Sequence, residues 1–267
     1  MCMANADSDA PHTFASLPPE LITLVAEELD ARSLARFAAA STLCQAAAHS
    51  ELRAALRTAV QRSLVPGAGR IRNALVLCPY FCLPDDLVAI PAGVFRGCIF
   101  LTSPLTLPAA LTTIGDRAFE GTSLTELTFP ASLTTIGICA FRGTPLAKVT
   151  LPPTIATIGL GAFSGCIFLA EVTLPAGLTA IGNRAFRGCI SLTKVSLPAT
   201  LTTIGHYSFS ECSSLMEITL SPALTTIGDY CFRGCSLLAS LTLPASFTAG
   251  YPTIGRDAFE GTCIKNT

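Results

Sequence analysis

The chain has 267 residues, half of them hydrophobic and 13 % charged, with a formal net charge of −1. That composition is too apolar for a disordered chain and ample for a sizeable core. The near-neutral balance excludes general attraction to nucleic acid or to an anionic membrane, and no run reaches the roughly 18 uninterrupted apolar residues of a membrane span. Residues 1–13, beginning MCMANADSDAPH, carry neither a basic n-region nor an apolar h-region. They read as a disordered N-terminus on a chain expected to be intracellular, cytoplasmic or nuclear.

Residues 14–64 form the first folded element. Leu21, Leu24, Val25 and Leu29 recur at helical spacing, and Pro18 and Pro19 suit a helix start, where a missing N–H costs nothing. Asp30 can cap a second helix carrying Leu34 and Phe37, Ser41 can cap a third, and Ala54 to Leu64 reads as another, stopped by Pro66-Gly67. The string LPPELITLVAEELDARSLARFAAASTLCQAAAHSELR resembles an F-box, matching at Leu17-Pro18, Glu20-Leu21, Leu29, Leu34, Phe37 and Ala40-Ser41. Thr42 and Cys44 stand where that family usually has a basic residue and Trp. The resemblance implies that Leu17, Pro18, Leu21, Leu29 and Leu34 face a Skp-type adaptor of a cullin-RING ubiquitin ligase. The plainer alternative is a helical cap on the first rung of a stack of repeats that begins near residue 83. Residues 65–82 read as a linker and solenoid cap.

From about residue 83 one unit recurs, L-P-x-x-L-T-T-I-G-x-x-A-F-x-G-C-x-x-L-x-x-V-T, about 22 to 23 residues long. Its Phe falls at Phe95, Phe119, Phe141, Phe163, Phe186, Phe209, Phe232 and Phe259. Gly follows the Ile at Gly115, Gly137, Gly159, Gly182, Gly205, Gly228 and Gly255, with Pro91 in the first unit. Units reading Gly-Thr-x-Leu, such as Gly121 to Leu124, are one residue shorter than those reading Gly-Cys-x-x-Leu, such as Gly165 to Leu169. Apolar Leu169, Val172 and Leu174 alternate with Ala170, Glu171 and Thr173, which predicts a short strand ended by Pro175. A second strand is expected at Leu178 to Ile181, ended by Gly182. One unit cannot bury its Leu, Ile and Phe alone, so stacked units must make a continuous core. These residues resemble the BspA-like leucine-rich repeat family over 83–267. The resemblance implies a parallel β-solenoid used for protein contacts, many of whose relatives are secreted or surface proteins. The expected fold is therefore α+β: a small helical module, then a parallel solenoid of about eight rungs.

Several columns could carry chemistry. Cys98, Cys166, Cys189, Cys212 and Cys235 share one repeat position, where a one-dimensional column cannot converge tetrahedrally on a metal, so they read as small buried hydrophobes. Cys78 with Cys82, and Cys231 with Cys235, are weak metal signals, and no metal or other cofactor is expected. The polar strand position runs Glu126, Lys148, Glu171, Lys194, Glu217, then Ser240. The alternating signs are expected to set register, because a slip of one rung juxtaposes like charges; the alternative is a target-binding strip. The Thr-Thr column (Thr112-Thr113, Thr134-Thr135, Thr202-Thr203, Thr225-Thr226) suits an exposed strand. His206 lies within reach of Asp229 one rung on, with no nucleophile column beside them, and Ile138, Leu160, Tyr207 and Tyr230 occupy variable positions where specificity can lie. Together these features predict a non-catalytic scaffold. The leading reading is a substrate-recognition subunit of a Skp–cullin–F-box ligase with an unknown target protein. The alternative is a repeat scaffold or adhesion-type protein with no ligase role. The carboxyl-terminal edge, at Leu238 to Leu243, is expected to be uncapped and open to self-association.

Overall fold

A computed structural model describes residues 83, 85–99, 101–102, 105–239, 241, 243 and 253–264, all within one unit, Ala59–Thr267. The helices expected at 14–64, the linker at 65–82 and the adaptor-facing Leu17, Pro18, Leu21, Leu29 and Leu34 lie outside the described residues, as do Ser240 and Thr242 of the expected Leu238 to Leu243 strand.

Pro and Gly punctuate each unit so closely that only two or three residues at a time stay extended. The first ladder consists of β1 (Ala89–Ile90), β3 (Thr113–Ile114), β5 (Thr135–Ile136), β7 (Thr157–Ile158), β9 (Ala180–Ile181), β11 (Thr203–Ile204), β13 (Thr226–Ile227) and β14 (Thr253–Ile254). The second consists of β2 (Leu105–Thr106), β4 (Leu127–Thr128), β6 (Lys148–Thr150), β8 (Glu171–Thr173), β10 (Lys194–Ser196) and β12 (Glu217–Thr219). All pairings among these strands are parallel, with each ladder interrupted once, after β5 and after β4. Eight strands in the first ladder leave seven steps between them, so the described solenoid makes about seven turns. No helix occurs among the described residues, and none there is long and apolar enough to cross a membrane.

The core is a column for each repeat position. Eight Phe rings stack from Phe95 to Phe259 with centroids 5.3–5.6 Å apart and planes within 18° of parallel, and the first seven are fully buried. Each buried large side chain contributes roughly 1.5–3 kcal/mol, set against the entropy of ordering it.

Backbone hydrogen bonds between rungs run in opposite senses on two arcs. After the Ile of most rungs the later rung donates to the earlier one: Gly115 N–H to Ile90 O, Gly205 N–H to Ile181 O, Gly228 N–H to Ile204 O, each 2.8 Å, with Gly159 as the exception at the break after β5. Through the Ala-Phe-x-Gly turn the earlier rung donates to the later: Phe119 N–H to Ala140 O at 2.8 Å, Gly121 N–H to Arg142 O at 2.8 Å.

The Gly after each Ile exists because rungs touch there. A Cβ on Gly182 would lie 2.6 Å from Ile158 O, and one on Gly228 would lie 2.5 Å from Gly205 C and His206 N. Pro91 occupies this position only in β1's unit, which has no described rung stacked before it.

Candidate binding face

The polar strand column is where the sequence places it, at one end of the second-ladder strands, but its charges are not shared evenly up the stack. Lys148 stands in register with Glu171, and Lys194 with both Glu171 and Glu217. The ammonium of Lys148 lies 2.7 Å from Glu171 Oε2. That of Lys194 donates to both oxygens of Glu217, at 3.1 and 3.0 Å. The column therefore resolves into two forward-reaching pairs rather than a chain in which each inner charge has two opposite neighbours. All four side chains are more than half exposed, so each pair contributes well under ~1 kcal/mol. Glu126 precedes β4 at the same repeat position and is exposed.

The threonines have a backbone role that pattern alone does not show. The Oγ1 of Thr134, Thr179, Thr202 and Thr225 donates to the carbonyl of the same position one rung back, at 3.1–3.2 Å. Ala156 interrupts the hydroxyl row yet still accepts from Thr179 through its carbonyl. A second hydroxyl column, which the repeat pattern does not reveal, seats Ser132, Thr154 and Thr200 against carbonyls of the preceding rung, and Ser221, two positions earlier in its own unit, donates to Ala199 O.

The repeat cysteines are free, and Cys98, Cys166, Cys189, Cys212 and Cys235 are buried. From Cys166 onward each thiol donates to the Phe carbonyl of the preceding rung, at 3.1–3.3 Å. Burial pushes the Cys166 thiol up to about 11 and that of Cys235 up to about 12. It also raises Cys189, Cys212 and Cys231. Neutral, hydrogen-bonded thiols of this kind pack as small hydrophobes. Thr122 and Thr144 replace them in the short units and donate instead to Phe119 O and Phe141 O of their own turn. Among the described residues no three His, Cys, Asp or Glu side chains converge as a metal site.

The two positions after the repeat Gly differ most from rung to rung. At the first, Asp116 Oδ1 accepts the N–H of Ile138 and Asn183 Oδ1 that of His206, while His206 Nδ1 accepts the N–H of Asp229 and Asp229 Oδ1 that of Arg256, all at 2.7–2.9 Å. His206 thus acts as a backbone acceptor, and its Nδ1 also lies 3.4 Å from Asp229 Oδ2 within this row. Ile138 and Leu160 offer no acceptor and are exposed by 42 % and 40 %.

The second position lies in the left-handed region on every described rung. Gly93 and Gly161 sit there comfortably, but so do Arg117, Cys139, Arg184, Tyr207, Tyr230 and Asp257, at φ of 51–57°. A residue with a Cβ is disfavoured there by roughly 1–2 kcal/mol relative to Gly. Periodicity gives no sign of this strain, because a left-handed position is recognised from sequence only when Gly or Asn fills it. Tyr207 and Tyr230 stack with centroids 4.9 Å apart. Arg184 lies 5.5 Å from the Tyr207 centroid and Arg233 5.4 Å from that of Tyr230.

The same repeat is matched by a known family model. The model for the BspA type leucine rich repeat region matches residues 78–173 and 157–267. Among solved structures, a leucine rich repeat protein of T. pallidum is 26 % identical over 69 % of this chain and 77 % of its own, with a TM-score of 0.47. One from Bacteroides ovatus is 23 % identical over 67 % and 69 %, with a TM-score of 0.34. The pneumococcal vaccine antigen PcpA is 23 % identical over 69 % and 60 %, with a TM-score of 0.41. A search of curated proteins finds no match. With its model matched across residues 78–267, the chain belongs to the BspA-type leucine-rich repeat family.

Proposed function

We propose that the chain is a protein-binding scaffold that acts by contact rather than catalysis, and that its recognition surface is the row of side chains just after the repeat Gly. One observation carries this reading. Gly is the unstrained residue at the left-handed position, yet six of the eight rungs hold larger side chains there. Backbone strain of this kind persists where the side chain is used and the surrounding structure fixes it. Beside that column stand Ile138 and Leu160, and within it the Tyr207–Tyr230 stack, so apolar and aromatic groups are displayed at rung spacing on a rigid frame. Aromatic and Arg side chains are favoured anchors of protein interfaces. The strand column is the weaker candidate, because Lys148, Glu171, Lys194 and Glu217 are already paired with one another.

The repeat-scaffold reading stands on the family and the solenoid. Recruitment to a ubiquitin ligase would rest on residues 14–53 alone, and nothing in the solenoid requires it. A photo-crosslinking amino acid placed at Tyr230 should trap the target, and the same group at Lys194 should not. Equal trapping at both sites, or trapping at Lys194 alone, would overturn the assignment of the surface.

A further inference from the structure

Cations and carboxylates are not matched evenly along the arc that follows the repeat Gly. Arg187 has Glu211 at 3.0 Å and Arg233 has Glu260 at 2.9 Å, one cation to one anion. Nearer the start of the stack the ratio changes. Arg96, Glu120 and Arg142 hold the position after the repeat Phe on three successive rungs, tied by Gly97 N–H to Glu120 O at 2.6 Å and Gly121 N–H to Arg142 O at 2.8 Å. Arg117 joins them from the left-handed position of Glu120's own rung. All three guanidinium groups turn to one carboxylate. Arg96 Nε lies 2.9 Å from Oε2, Arg142 Nη1 3.6 Å from Oε1 and Arg117 Nε 4.0 Å from Oε2. Glu120 is mostly buried beneath them, at 14 % exposure, while each Arg side chain is exposed by half or more. Arg96 makes the close contact. Arg117 and Arg142 stand at ion-pair range only, and their side chains make no hydrogen bond among the described residues. Even with Asp116 counted, which accepts the Ile138 N–H, three cations face two carboxylates.

We propose that Arg117 and Arg142 receive a carboxylate of the bound protein, and that the segment recognised is therefore acidic with an apolar residue beside its Asp or Glu. This rests on the reading of the arc as the recognition face and names the chemistry of what that face takes. Guanidinium is a planar fork that binds carboxylate bidentately and is more weakly hydrated than ammonium. Glu120 draws the two forks together before the target arrives and offsets part of their repulsion, so the site is organised in advance. Gly would be the relaxed residue where Arg117 stands, and the Arg in its place supplies one of the two forks. The apolar half of the segment meets Ile138, on Arg142's own rung, and Leu160 on the next, both exposed. The site lies within the stack, between the rung of Arg96 and that of Ser164.

Titration of the full chain with a fluorescently labelled peptide of Glu and Leu, read by anisotropy, tests this. The wild type should bind the peptide, more weakly as salt rises, and should not bind its counterpart with Gln for Glu. Arg117→Gly and Arg142→Gln should each weaken binding roughly tenfold, the loss of one charge-assisted contact. Lys148→Gln removes the same charge from the strand column and should leave binding unchanged. Arg117→Gly relieves the left-handed backbone, so its melting curve should show an intact fold. Absence of peptide binding, equal binding of the Gln peptide, equal loss in Lys148→Gln, or inorganic phosphate displacing the peptide as well as unlabelled peptide does would each overturn the proposal, the last because the forks would then read any oxyanion. Crosslinking at Tyr230 separates this from the recognition face itself. Trapping there with no peptide binding removes the acidic segment and leaves the face standing, whereas trapping at Lys194 alone removes the face and the proposal that rests on it.

Discussion

Gly228→Ala and Gly177→Ala add the same single methyl group at two glycines, and the stacked rungs require opposite results. At Gly228 the new Cβ would stand 2.5 Å from Gly205 C and His206 N and 2.8 Å from His206 Cα. All three are backbone atoms, so no rotamer change relieves the clash, and ordinary carbon contacts lie at roughly 3.5–4.0 Å. The rungs must separate by about 1 Å to reach that range. The bonds joining them leave no such slack: Gly228 N–H to Ile204 O is 2.8 Å, Thr225 N–H to Thr202 O and Tyr207 N–H to Asp229 O are 2.9 Å. Stretching three bonds of this kind past useful length costs about 3 kcal/mol at a net of about 1 kcal/mol each, similar to the upper range for overpacking a core. The melting temperature should fall by about 10 °C, taking 2–4 °C per kcal/mol for a domain of this size. Gly177 lies in an exposed turn, and a Cβ there meets only Pro153 O at 3.7 Å. Its column holds Ala110, Ser132, Thr154, Thr200 and Ala223 in other units, so Gly177→Ala should be neutral or stabilising by up to ~1 kcal/mol through the unfolded chain. Differential scanning calorimetry on the two variants decides. A neutral Gly228→Ala, or equal losses at both sites, would refute the close rung contact.

The same geometry bears on three other perturbations. Glu211 has φ of +64° in a column otherwise filled by Gly, so Glu211→Gly should stabilise the fold by up to ~1 kcal/mol, less a little for its exposed pair with Arg187, as read by urea denaturation. Lys194→Glu would stand in register with both Glu171 and Glu217 and should destabilise by ~0.5–1 kcal/mol, an effect that shrinks in high salt; no loss at low salt would contradict the register. The buried thiols ionise later in the folded state than in the unfolded one. Their stabilisation is therefore intact below pH 9 and falls between about 9 and about 11 for Cys166. Cys166→Ala should reduce the slope of stability against pH in that window, and an unchanged slope would mean that the thiol is not desolvated.

Period and composition were enough to locate the Phe stack, the short strands around Val172 and Ile181, the buried cysteine column and the change of turn length at Gly121 and Gly143, because each leaves an apolar or Gly residue at a fixed spacing. Features that depend on direction were not legible. Nothing in the letters says that Thr134 donates backward to Thr112 O, or that Lys194 reaches forward to Glu217 rather than back to Glu171. The left-handed column was hidden for a related reason: Arg117, Tyr207 and Tyr230 are unlike the Gly that usually marks such a position. Repeat alignment alone puts His206 beside Asp229, but its role as acceptor for the Asp229 N–H needs the rung geometry.

The central claim is that the strained side chains at Tyr207 and Tyr230 serve recognition and not folding, and the double variant Tyr207→Gly with Tyr230→Gly tests it most directly. Glycine relaxes two left-handed backbones at roughly 1–2 kcal/mol each, offset by its greater freedom in the unfolded chain, by the lost ring stack at about 0.5–1.5 kcal/mol and by the lost contacts with Arg184 and Arg233, so that gains and losses nearly cancel. The account predicts a melting temperature close to that of the wild type, together with loss of the target captured by wild-type protein. A variant that melts well below the wild type, or one that keeps its target, would contradict it.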